Sequence, residues 1–153
     1  MKGGADLLAI ETLPSLDEAV VVGGLLAGHR GVKAWISFTC RNDREIADGT
    51  PVEDAIAAAA AFQEVVAVGF NCVDPTLVES LLKRAAVVTS LPLVAYPNDG
   101  RTWDAEARAW RGSAEGFDAA TVRRWRELGA RLIGGCCGVS PTGIGNLAAG
   151  LAG

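Results

Sequence analysis

The sequence predicts a parallel α/β fold, a (β/α) barrel of TIM type present here as about five βα units. Three observations lead there. A short β-rich apolar run recurs five times, each followed by a polar or glycine-containing turn and then an amphipathic or alanine-rich segment. Such alternation places helices over a parallel sheet. The runs start 28, 33, 25 and 39 residues apart, close to the roughly 30 residues per unit of a barrel that takes ~250 in all. Finally, the glycine-rich signature of a doubly wound nucleotide-binding fold is missing: "GGLLAG" (Gly23 to Gly28) lies inside a helix-like segment rather than just after a strand. Five units do not close a barrel, and an open five-stranded sheet is the alternative.

The five runs are "DLLAIET" from Asp6, "AWISFTC" from Ala34, "AVGFNC" from Ala67, "PLVAYPN" from Pro92 and "RLIGGCC" from Arg131. Between them lie the helical segments "SLDEAVVVGGLLAG", "PVEDAIAAAAAFQEV", "PTLVESLLKRAAVV" and "DAATVRRWRELGA", and "PTGIGNLAAGLAG" closes the chain. Ser15 with Glu18 three residues on reads as a capping box, and Pro51, Pro75 and Pro141 read as first-turn prolines. "GHRG", "LGA" and "GLAG" read as helix stops. The stretch from Asn98 to Phe117 has no evident element, and a loop that long is usually functional or a lid.

Half of the 153 residues are hydrophobic and 21% are charged, enough to bury one core. A net charge of −4 and a pI near 5.0 exclude a nucleic-acid or anionic-membrane surface, because the phosphate-neutralising excess of Lys and Arg is missing. No apolar run reaches the ~18–20 residues of a membrane span, and the start "MKGGADLLAIET" does not read as a signal peptide. Four cysteines without secretory features read as thiols or metal ligands in a reducing compartment, so the expected location is cytoplasmic.

Cys72, Cys136 and Cys137 all follow strand-like runs, on the rim where parallel α/β proteins place their chemistry. Adjacent residues of a straight strand point to opposite faces, so Cys136 and Cys137 converge only through a bend. The flanking Gly134, Gly135 and Gly138 permit one. Three thiolates suit Zn²⁺ and leave a fourth position for substrate. A redox or vicinal disulfide between Cys136 and Cys137 is the alternative. His29 belongs to the opposite rim as a surface loop residue. Cys40 ends a run on the same rim as the other cysteines, yet reads as a small buried hydrophobe.

"GFNC" followed by "GGCCG" resembles the homocysteine S-methyltransferase family, zinc enzymes on a (β/α)₈ barrel. "DLLAIETLPSLDEA", "WISFTC", "VGFNCVDP", "LVAYPNDGRTWD…W" and "GARLIGGCCGVSPTGI" fall in family order along nearly the whole chain. The resemblance implies that residues 1–153 are the C-terminal portion of the barrel, its fourth to eighth units, with the first three missing. It implies Cys72, Cys136 and Cys137 as zinc ligands and Glu11 as the carboxylate that holds the homocysteine amino group. The nucleophile is then the substrate's own thiol, ionised at the metal, with no separate general base. "YPNDG…W" is most similar to the branch whose methyl donor is S-methylmethionine or S-adenosylmethionine. Tyr96, Trp103 and Trp110 could shape a pocket for that sulfonium through cation–π contact. Trp125 reads as a helix residue packing on the sheet, and Arg123 and Arg124 as a solvated face. The unpaired edges of a half barrel imply either self-association or a missing N-terminal half. A truncated, non-catalytic zinc-binding half barrel is the competing expectation.

Overall fold

The structure is a computed structural model that describes residues 4–29, 31–114 and 116–151. Met1 and the last two residues of the "GLAG" stop signal lie outside them. The five apolar runs form five strands: β1 (Leu8–Leu13), β2 (Ala34–Phe38), β3 (Val65–Asn71), β4 (Leu93–Tyr96) and, after a hairpin, β7 (Ala130–Ile133). Five helices follow them: α1 (Leu16–Ala27), α2 (Val52–Ala60), α3 (Pro75–Ala85), α4 (Ala119–Glu127) and α5 (Pro141–Leu151). The sheet order β1-β2-β3-β4-β7 runs in chain sequence with every pair parallel. A doubly wound sheet would reverse its strand order at a switch point. No reversal occurs, so the winding is that of successive barrel units, in a sheet that stays open at β1 and β7.

Local chemistry starts the helices as expected, with one correction. Ser15 Oγ accepts from the Glu18 N–H at 3.2 Å, Asp74 caps α3 ahead of Pro75, and Asp118 caps α4 through Thr121 N–H. Pro51, however, is the N-cap residue of α2 rather than part of its first turn, and no side chain caps that helix. Glu53 and Asp54 stand in its first turn instead, where negative charge complements the helix dipole. The stretch from Asn98 to Phe117 also needs correction. It contains an antiparallel hairpin, β5 (Thr102–Asp104) and β6 (Ala109–Arg111), with Trp103 facing Trp110 edge to face at 5.3 Å between ring centroids. Strands of three residues carry too little alternation to be seen in the sequence.

Strand alternation sorts the sheet into two faces. Ile36, Phe38, Val68, Phe70, Leu93 and Ala95 join the main core with the buried sides of α2 and α3. Trp125 is buried as expected and packs on Phe117 with centroids 5.0 Å apart, while Arg123 and Arg124 are exposed. The opposite face carries Trp35, Ser37, Ala67, Gly69, Asn71, Val94 and Tyr96. Gly69 is required there, because a side chain would run into the Val94 backbone. Since all five strands are parallel, their C-terminal ends share one rim.

Candidate metal centre and substrate rim

Cys72 follows β3 directly, in the left-handed region at φ 53°, and its N–H donates to the Tyr96 carbonyl at 3.1 Å. Cys136 and Cys137 lie beyond the end of β7, in a turn closed by Val139 N–H on the Cys136 carbonyl at 3.1 Å. The neighbouring loop holds this turn: Cys136 N–H donates to Pro97 O at 2.7 Å, and Asp99 N–H to Cys137 O at 3.0 Å. The glycines serve different needs. Gly138 takes a left-handed φ of 79°, whereas Gly135 is required by space, since a Cβ there would run into Val139. Against Gly138 presses the buried Asp99 carboxylate, paired with Arg101 at 2.7 Å. That guanidinium holds the Asp99 carboxyl below the usual carboxylate range.

The three sulfurs converge. Cys72 Sγ lies 3.5 Å from Cys137 Sγ, Cys136 Sγ lies 3.9 Å from Cys137 Sγ, and all three fall within 4.8 Å of one another. They are free thiols, and the 3.9 Å between the vicinal pair is far from a disulfide bond of ~2.05 Å. Tetrahedral Zn–S bonds of ~2.3 Å imply sulfur–sulfur edges of about 3.8 Å. The donor set and its spacing therefore fit one Zn²⁺ with a fourth position left over. Burial, with hydrogen bonds and charge repulsion from Cys136 and Cys137, pushes the metal-free Cys72 thiol up to about 12.

The other sequence candidates separate. Cys40 pairs with Ile46 in a β-bridge, burial alone pushes its thiol up to about 12, and it is not in the cluster. His29 hydrogen-bonds the Leu25 carbonyl at 2.8 Å at the end of α1. Trp103 and Trp110 pair with each other on the hairpin, and Arg101 already sits over Trp110 at 5.7 Å. Tyr96 instead ends β4, where its hydroxyl donates to Glu11 Oε2 at 2.9 Å. Glu11 is exposed and lies within β1 rather than at its end. The register to β2 slips between Ile10 and Leu13, with Thr12 at φ 60°. Sequence reasoning passed over Asn71, Ser37 and Thr12, although Asn71 stands beside the cysteine in "GFNC".

Fold and rim together define a protein of parallel βα units that gathers three thiols at its strand ends. The family described as homocysteine S-methyltransferase matches residues 1–151. The chain belongs to that family. It is 40% identical over 151 residues to the homocysteine S-methyltransferase of Escherichia coli, covering 97% of this chain and 49% of that one. It is also 40% identical to the homocysteine S-methyltransferase YbgG of Bacillus subtilis, at 97% and 48% coverage, and 37% identical to a selenocysteine Se-methyltransferase of Brassica oleracea, at 94% and 42%. The metallated crystal structure of the homocysteine methyltransferase MmuM from Escherichia coli superposes with a TM-score of 0.81 at 38% identity, covering 97% of this chain and 46% of that one. The fold is thus five parallel strands alternating with helices that match half of that barrel. The chain spans about half the length of the relatives it matches. None of the described helices is long and apolar enough to cross a membrane.

Proposed function

We propose that this chain is the C-terminal, metal-holding half of a homocysteine S-methyltransferase barrel, comprising residues 1–153. The reaction moves a methyl group from a sulfonium donor, S-methylmethionine or S-adenosylmethionine, to the thiol of homocysteine. The observation that carries the reading is the convergence of Cys72, Cys136 and Cys137 on one rim of a chain of this family. These three cysteines would hold Zn²⁺, which when bound favours ionisation of an incoming fourth thiol at neutral pH. Glu11, exposed on the same rim, offers its carboxylate to the substrate ammonium. The thiolate sulfur attacks the methyl carbon, a new C–S bond forms, and the donor's C–S bond breaks. Its electron pair stays on the donor sulfur, which becomes a neutral thioether; the thiol proton goes to solvent, and homocysteine becomes methionine. No separate general base takes part. The similarity of "YPNDG…W" to one branch of the family supports the choice of donor.

A second reading rests on the half-length match: a non-catalytic zinc-binding half barrel that needs an N-terminal half or a partner chain. Methionine formation from homocysteine and S-methylmethionine separates the two, measured on the chain alone and on the chain completed by three further βα units. Turnover is expected in the completed, zinc-loaded protein. A completed protein that binds zinc and forms no methionine from either donor leaves the non-catalytic reading standing.

A further inference from the structure

Behind Glu11 the rim holds a buried polar chain that the thiol chemistry does not require. Its starting point is the irregularity in β1, where the register with β2 slips between Ile10 and Leu13. Bulges of this kind re-aim side chains next to active sites. Thr12 sits in the slip at φ 60°, a conformation unfavourable for a β-branched residue, which persists only where its surroundings over-determine it.

Asn71 supplies that determination. Its fully buried side chain takes the Thr12 N–H on Oδ1 at 2.7 Å and donates from Nδ2 to Thr12 Oγ1 at 2.7 Å. The same Oδ1 accepts the Ser37 hydroxyl at 2.7 Å. Ser37 Oγ lies 2.8 Å from the Tyr96 hydroxyl, which also accepts the Trp35 Nε1–H at 3.0 Å and donates to Glu11 Oε2 at 2.9 Å. Glu11 is therefore gripped twice, at its carboxylate by Tyr96 and through its backbone neighbour Thr12 by Asn71. Both grips meet at Ser37.

The other end of the chain reaches the thiols. Asn71 is covalently joined to Cys72, which is itself left-handed and hydrogen-bonded to the Tyr96 carbonyl. Asn71 and Tyr96 thus each touch both the Glu11 side and the Cys72 side of the rim, across the intervening β2. Ala67, Gly69 and Val94 cover the same sheet face without polar atoms in their side chains, so burial alone does not call for this network. Burial, with the Glu11 carboxylate beside it, pushes the Tyr96 phenol up to about 12.

We propose that Tyr96 and Asn71 are positioning residues for acceptor recognition, fixing the Glu11 carboxylate relative to the Cys72 thiol so that the rim selects molecules carrying both a thiol and an ammonium group. The inference rests on Glu11 as the ammonium partner. It is tested with Co²⁺ in the cysteine cluster, whose thiolate charge-transfer band reports an added thiol. The protein is the chain with the units that complete it. Two ligands are titrated, homocysteine and 4-sulfanylbutanoate, the same thiol acid without the amine, and the ratio of their affinities is the readout.

A charge-assisted contact to the ammonium corresponds to a preference for homocysteine of about 10-fold or more. Tyr96→Phe should bring that ratio to within about 3-fold of unity, with 4-sulfanylbutanoate affinity changed by no more than about 2-fold. Ser37→Ala, a smaller change that cuts the link between the two grips, should lower the ratio as well. It serves as the test if the Phe variant loses its cobalt spectrum. If the unsubstituted protein shows no preference, or Glu11→Gln keeps it, the ammonium reading itself fails and the inference with it. If Glu11→Gln abolishes the preference while Tyr96→Phe and Ser37→Ala leave it intact, the positioning inference alone is overturned. An equal weakening of both ligands in the variants also overturns it, since that is what a merely structural role would give.

Discussion

The flank helices α1 and α5 are no less apolar than α2 and α3 over the middle of the sheet, yet they end in a different state. In α2 and α3 the apolar side is closed: Val52, Ala55, Ile56 and Ala59 on one helix, and Val78, Leu81, Leu82 and Ala85 on the other, are all fully covered. On one flank α1 buries only Ala19, Gly23 and Leu26 and leaves Val21 and Leu25 more than 60% exposed, at 63% and 62%. On the other flank α5 buries no residue at all. The difference is one of neighbours rather than of composition. Inner helices lie between two others, whereas α1 and α5 each have one side that five units cannot cover. The cysteine cluster spans this divide, because Cys72 follows the central β3 while Cys136 and Cys137 follow the edge strand β7. A metal there would tie an edge to the middle.

The contrast can be broken by mutation. The largest effect is expected in the middle, where Leu81→Ala should cost ~2–5 kcal/mol in chemical denaturation through lost burial and the cavity left behind. Gly69→Ala comes next at about 1–3 kcal/mol, because the added methyl meets the Val94 backbone, which cannot step aside. On the flank, Val21→Ala should change stability by no more than ~0.5 kcal/mol. Leu25→Glu should leave stability similarly unchanged while reducing self-association in light scattering, since exposed apolar area is worth ~25 cal/mol per Å² when covered. A Val21→Ala loss as large as that of Leu81→Ala would mean that α1 is covered in solution and that the flank is not open.

The fold was legible in the sequence because its main signals are long-range and repetitive. Five apolar runs at barrel spacing gave the strands, and Ser15, Pro75 and Pro141 marked helix starts by local chemistry that tertiary structure left untouched. The hairpin escaped because β5 and β6 are three residues each and are held by a cross-strand tryptophan pair rather than by a periodic pattern. The cysteines of the site were legible as residue types with few other uses at strand ends. Asn71, Ser37 and Thr12 were not. A buried asparagine is recognised only by the partners that reach it, and those come from β1 and β2, both distant in sequence. Likewise the roles of the glycines beside the cysteines separate only in three dimensions, since space at Gly135 and backbone angle at Gly138 look alike in a string of letters.

The four cysteines sharpen the comparison on a smaller scale. Cys137 is exposed, whereas Cys40 is half-buried with its thiol pushed up to about 12, so little thiolate forms at neutral pH. In the metal-free chain a disulfide reagent should label Cys137 quickly and Cys40 slowly. Zinc should protect the three clustered thiols without altering the rate at Cys40, as peptide mapping of the labelled protein would show.

The claim on which the rest depends is that Cys72, Cys136 and Cys137 together hold one metal ion. Zinc stoichiometry of the reduced chain measures it directly, alongside Cys72→Ser, Cys136→Ser, Cys137→Ser and Cys40→Ser. The account expects about one zinc per chain, most of it lost in each of the first three variants and all of it kept in the fourth. Full zinc retention in the Cys137 variant, or loss in the Cys40 variant, would contradict it.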